Sequence, residues 1–187
     1  MGRANLRRRT AARLAAVQAL FQADQAAIGA EAVIEEFLSH RLGPAPVHAG
    51  YDEGRVPEAE VSLFARIVRA AAARQPAADS LLSSALPPDW PLSRLDPVLL
   101  ALFRAALAEL GMADGPPAKV VINEYVDVAH SFFDAAEPKL VNAVLDRLAR
   151  DLRPGEFPPH LASVLPPSVA APGSKHKGTS RPLKTKT

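Results

Sequence analysis

Apolar residues in this chain recur at steps of three and four, the spacing of one helical face, in almost every stretch that is free of proline. The clearest case is residues 117–152, PAKVVINEYVDVAHSFFDAAEPKLVNAVLDRLARDL. Val121, Tyr125, Val128 and Phe132 mark one stripe, and Val141, Val144, Leu145 and Leu148 mark another. A turn from Asp134 to Pro138 separates them, so the stretch predicts a hairpin of two helices with one buried face. Upstream, Leu14, Val17, Leu20 and Phe21 predict a helix from Asn5 or Thr10 to about Gln25. Val33, Ile34, Phe37 and Leu38 predict another from Ile28 to Leu42, and Val61, Phe64, Ala65 and Val68 a third from Glu58 to Arg74. Leu81, Leu82 and Leu86 belong to a short fourth. Strand-favouring runs are scarce, and the pattern predicts an all-α fold.

Punctuation divides the pattern. Pro87, Pro88 and Pro91 stop helix formation and split a single domain into an N-terminal bundle, about residues 5–87, and a C-terminal bundle, about 92–153. The second half opens on Asp96-Pro97, an N-cap followed by proline at the first helical position, where its missing N–H costs nothing. The helix that follows places Leu99, Leu102, Phe103, Ala106 and Leu110 inward and closes near Gly111. Leu95, Val98 and Leu100 widen its stripe beyond one buried face. That surplus means deep burial between the halves or an apolar patch for a protein partner. Gly43 to Pro57 reads as an irregular surface loop, and residues 154–187, rich in Pro, Gly, Ser and Lys, as a disordered tail.

Composition narrows the chemistry. The chain has no cysteine, which excludes disulfides, thiol nucleophiles and thiolate metal sites. It shows neither an 18-residue apolar run nor a secretory leader, so the expectation is a cytoplasmic protein with no membrane partner. The net charge of +2 conceals a separation. Arg3, Arg7, Arg8, Arg9 and Arg13 stand in the first 13 residues without an acid, five lysines and arginines against Glu156 occupy residues 154–187, and the body between carries −7. An acidic body with basic ends suggests a polyanion, nucleic acid above all. The tail's charges read more simply as a solvated segment. The N-terminal cluster abuts a helix whose macrodipole opposes cations, which a bound phosphate would relieve.

Reactive groups do not converge. His40, His48, His130, His160 and His176 lack metal-ligand spacing, and no phosphate-binding glycine loop or nucleophile elbow is present. Glu124 and Asp127 are one turn apart, as expected on the solvent side of any amphipathic helix. The expectation is a binding protein, not an enzyme, with no metal and no cofactor. For single-stranded nucleic acid the arginines supply a cationic track in which Arg9 and Arg13 share a face. Phe21, Tyr125, Phe132 and Phe133 are candidate stacking platforms. Phe21 and Tyr125 also fit the core, and Phe132 and Phe133, being consecutive, cannot both face inward on one helix, which puts one of them outside beside Lys139. Asn142 either makes a buried hydrogen bond or meets a ligand.

Three segments resemble the NusB family of bacterial transcription antitermination factors. RRRTAARLAAVQALFQAD is similar to the family's arginine-rich start, LSRLDPVLLALFRAALAEL to the helix ending in its YEL phrase, and VVINEYVDVAHSFF with EPKLVNAVLDRLAR to its C-terminal signature. The resemblance implies two packed helical bundles. It implies binding of boxA-type single-stranded RNA in ribosomal RNA transcripts together with NusE, a small-subunit ribosomal protein, within an RNA polymerase antitermination complex. It assigns Arg7, Arg8, Arg9 and Arg13 to the RNA-contacting motif, with Phe21, Lys119, Phe132, Lys139 and Asn142 completing the RNA surface. Leu99 and Leu100 stand where the family has an acid and a base, which recasts a polar partner contact as a hydrophobic surface. Ala108 replaces the tyrosine of YEL, Leu140 replaces Phe and Ala143 replaces Gly. The alternative is a protein-interaction scaffold of the same fold without sequence-specific RNA binding.

Overall fold

The computed structural model describes residues 3–42, 59–134 and 136–158, so the Gly43 to Pro57 loop and the tail from residue 159 lie outside the described residues. Seven α-helices and two 3-10 turns account for the regular structure, with no strand among the described residues: α1 Arg3–Ala26, α2 Ala30–His40, α3 Val61–Ala73, α4 Gln75–Ala85, α5 Pro97–Leu110, α6 Ala118–Ala129 and α7 Glu137–Leu152, with 3-10 turns at Leu92–Arg94 and Pro154–Glu156. The all-α expectation holds, and the helix breaks fall where proline and glycine cluster.

Helix α5 is the axis. Its N-terminus is capped as its sequence predicts: Asp96 Oδ1 accepts from the backbone N–H groups of Val98 at 2.8 Å and Leu99 at 3.3 Å. Every residue from Ala101 to Leu110 is buried, whatever its chemistry, and α1, α3, α4, α6 and α7 all pack on it. The surplus apolar width of this helix is therefore core. Leu99, expected on a partner surface, is fully buried, and only Leu100 reaches the outside, where it is half-buried. A helix enclosed on all sides has no solvent face on which to place polar residues, so the Arg104 and Glu109 it carries must find partners inside.

The remaining helices wrap this axis in two pairings, α1 with α3 and α6 with α7. Phe37 of α2 stacks on Phe64 of α3 with ring centroids 5.6 Å apart, and the Arg41 guanidinium lies 5.0 Å from the Phe37 centroid. Two stripe residues fall on the outside instead: Leu38 and Val61 are exposed. Helix α1 ends with Ala27 at φ 51°, and the Ile28 N–H reaches back to the Ala23 carbonyl at 3.1 Å, a left-handed closure that glycine would adopt with less strain.

The packed chain continues past Arg153. Its guanidinium donates to the carbonyls of Leu110 at 2.7 Å, Pro116 at 2.7 Å, Met112 at 3.0 Å and Glu109 at 3.3 Å, closing the C-terminal end of α5. Glu156 then accepts the Ala118 N–H at 2.6 Å and so caps α6 from 38 residues away. Phe157 is buried beneath the Arg150 guanidinium, 4.8 Å from its centroid. The change of composition at residue 154 thus precedes the end of the fold by several residues.

Candidate nucleic-acid interface

The basic cluster lies on the first three turns of α1 and splits into two populations. Arg7 and Arg8 are exposed. Arg9 is half-buried and leans on Glu60, ahead of α3, with Nε 3.5 Å from Oε2, while the Glu60 N–H donates to the Arg8 carbonyl at 3.0 Å. These contacts fasten the outer face of α1 to the start of α3. Arg13, one turn on, is 1% exposed and does not reach the surface that its sequence position suggests.

Arg13 instead fills a polar hub in the core. Its Nε and Nη2 donate to the two oxygens of Glu109 at 2.9 and 2.7 Å, a bidentate pair, and Nη1 donates to Glu124 Oε2 at 2.8 Å. The Thr10 hydroxyl sits 2.7 Å from the same Glu124 oxygen. Burial draws the Arg13 pKa down, but the hydrogen bond and charge of Glu109, with Tyr125 and Glu124, outweigh it and hold the value above the ordinary one. Glu124, expected on the solvent side of α6, is buried for the same reason: it faces α1. Tyr125 is fully buried, as the core reading has it, with its hydroxyl unpaired among the described residues; burial, then the charge of Glu109, pushes its pKa well above the phenol range. The hub pins α1 to α5 and α6 and sets where Arg7 and Arg8 emerge.

The aromatic positions form a second region. Helix α6 ends at Ala129, so Phe132 and Phe133 lie in the following turn, where both of their N–H groups reach the Ala129 carbonyl at 3.0 and 2.9 Å. The argument from a regular helix therefore fails. Both rings are half-buried, 6.3 Å apart and tilted by 53°, and neither is fully exposed. Phe132 and the half-buried Phe21 line one open groove with Gln18, Gln22, Arg41 and Val98.

Beyond the turn, Lys139 and Asn142 line a different groove with Val126, His130, Asp134 and Pro138. Both side chains are exposed, which removes the buried-hydrogen-bond reading of Asn142. Lys119 is exposed in the first turn of α6. Leu100 lines a third depression with Leu86, Pro87, Pro88, Pro91 and Leu92, apart from these basic groups. Among the described residues no three His, Asp or Glu side chains gather to hold a metal ion, and no helix is long and apolar enough to cross a membrane.

The sequence reading missed a second internal arginine. Arg104 of α5 grips Asp79 of α4 with Nε and Nη2 at 2.8 and 2.7 Å and meets Asp24 of α1 through Nη1. One signal pointed to it: Arg104 and Glu109 interrupt an otherwise apolar run, and charges inside such a run need partners.

Comparison with known proteins agrees with this architecture. The sequence profile of the NusB family matches residues 10–150. The chain is 60% identical over 151 residues to the transcription antitermination protein NusB of Granulibacter bethesdensis, covering 81% of this chain and 93% of that protein. It is 50% identical over 149 residues to the protein of the same name from Gluconobacter oxydans, covering 80% and 91%. Among solved structures it resembles T. maritima NusB, with a TM-score of 0.62 and 28% identity over 80% of this chain and 96% of that one.

Proposed function

The chain belongs to the NusB family of transcription antitermination proteins, and from that premise we propose that it binds boxA-type single-stranded RNA of ribosomal RNA transcripts together with NusE, without catalysis, as part of an RNA polymerase antitermination complex. The observation that carries this reading is the exposed pair Arg7 and Arg8 at the start of α1, on a helix with no acid in its first turn. Planar guanidinium groups grip phosphate oxygens bidentately and stack on unpaired bases. The rest of the chain through residue 153 is acidic, so it repels a polyanion everywhere except at this end and at the lysines of α6 and α7. The Arg13 hub supports the reading indirectly, because it fixes the rotation of α1 against α6. Phe21 and Phe132, sharing a groove, supply an apolar floor for a base.

The test is fluorescence anisotropy of a boxA-type RNA against a scrambled RNA of equal length, with and without NusE, across a salt series. Preference for the boxA-type RNA that sharpens with NusE is expected. If Arg7, Arg8, Lys119 and Lys139 each neutralise one phosphate, the log–log salt slope is about −3, so raising salt from 50 to 200 mM weakens binding roughly fiftyfold. Equal, steeply salt-dependent binding to both RNAs would reject sequence-specific recognition. The second reading, a scaffold that binds protein alone, rests on the apolar depression around Leu100. It requires a partner complex indifferent to added polyanion.

A further inference from the structure

On α6, Lys119, Asn123 and His130 stand four and seven residues apart, which at about 100° per residue brings them within about 40° of one another on the helix surface. All three are exposed, and they form an outward crest about 16 Å long. Val126 and His130, on the flank of this crest, border the groove that Lys139 and Asn142 line from α7. Crest and groove thus make one continuous surface along the α6–α7 hairpin.

Its chemistry is mixed in an ordered way. The cations stand at the ends, Lys119 at the start of α6 and Lys139 at the start of α7. The two amides, Asn123 and Asn142, stand between, and neither makes a side-chain hydrogen bond among the described residues. Asparagine is a poor mid-helix residue because its side chain competes with the backbone, and here no internal bond offsets that cost. Asp134 lines the groove beside Lys139. A carboxylate at that point repels phosphate but accepts a hydrogen bond from a base amino group. A surface built only to hold a phosphate backbone would not combine free amides with an acid.

We infer that this surface is where the RNA sequence is read, with Asn123 and Asn142 bonding to base edges while Lys119 and Lys139 hold the flanking phosphates. The inference rests on the RNA-binding reading above and adds Asn123, with His130 as its neighbour, to the contact surface. An amide offers a donor and an acceptor side by side and matches the edge of one base, whereas an ammonium meets any phosphate. Division of labour follows from that difference.

The experiment uses the full chain with its boxA-type RNA and a panel in which each base is replaced in turn, measured by anisotropy across a salt series. Asn123→Ala, on an exposed helical position that alanine favours, is expected to fold normally, checked by circular dichroism. It should weaken the parent RNA about tenfold, abolish the penalty for base replacement at one or two positions, and leave the salt slope unchanged. Asn142→Ala should do the same at a different position. Lys119→Ala and Lys139→Ala should weaken every RNA in the panel alike and make the slope shallower by about 0.7 each. If the wild type discriminates among the RNAs but Asn123→Ala keeps the same pattern of penalties, this assignment is wrong while the RNA-binding reading stands. If the wild type shows no penalties at all, both are wrong.

Discussion

Arg7 and Arg13 stand six residues apart on α1, yet one ends in solvent and the other among carboxylates in the core. Nothing in the residue type distinguishes them. What separates them is their surroundings: α1 passes over α5 and α6 at Arg13, where Glu109 and Glu124 replace the water that a guanidinium loses, and runs free at Arg7. The same cluster therefore performs two tasks. Its inner member ties three helices together, and its outer members are left to a partner. An arginine-rich stretch is not a uniform binding motif, and its structural share follows from which carboxylates the fold delivers to it.

Removing the inner member should have the largest effect. Arg13→Ala strands two buried carboxylates and is expected to destabilise the fold by about 3–5 kcal/mol, read as a collapse of the urea midpoint. Arg13→Met combined with Glu109→Gln and Glu124→Gln should recover part of that loss, because it removes the stranded charges. A triple variant no more stable than Arg13→Met would place the cost in packing instead. Next comes Arg104→Ala, whose partners Asp79 and Asp24 keep 27% and 37% of their side-chain surface in water. Water solvates what is left behind, so a loss of about 2 kcal/mol is expected, between the buried and surface cases.

The outer members should behave in the opposite way. Arg7→Ala with Arg8→Ala is expected to move stability by no more than about 0.5 kcal/mol while the RNA salt slope becomes shallower by about 1.4. A large fall in melting temperature would erase the contrast between the two populations. The smallest effect belongs to Glu156, a carboxylate that acts from the surface on a helix end. The Ala118 N–H, and after it Arg153, hold its pKa below the ordinary value of 4.5. A depressed folded-state pKa means that its contribution is present above about pH 4.5 and is lost as pH falls through the folded value. Glu156→Gln should therefore lower the melting temperature slightly at pH 7, and the gap from wild type should close in acid. A gap that persists at low pH would show that the contact does not depend on the charge.

How legible was this in the sequence? The hairpin was, because Val141, Val144, Leu145 and Leu148 are all buried and the break falls at the turn. The Asp96-Pro97 cap was, because capping is decided within four residues. Periodicity failed at Phe132, where the apolar spacing runs on but the helix has ended at Ala129, since spacing records which residues are apolar and not whether the backbone hydrogen bonds continue. It failed again at Leu99, whose place beside Leu100 suggested a surface, because a helix enclosed by five others has no outer face over most of its length.

The sequence by itself determined the helices, their inner stripes, the all-α class and the family, all of which depend on neighbours a few residues apart. Only the tertiary structure decided the fate of the charges. Arg13 meets partners 96 and 111 residues away, and Arg153 closes a helix end about 40 residues upstream. A buried charge is tolerable only where a counter-charge arrives through packing, and local spacing carries no information about which distant residue that will be.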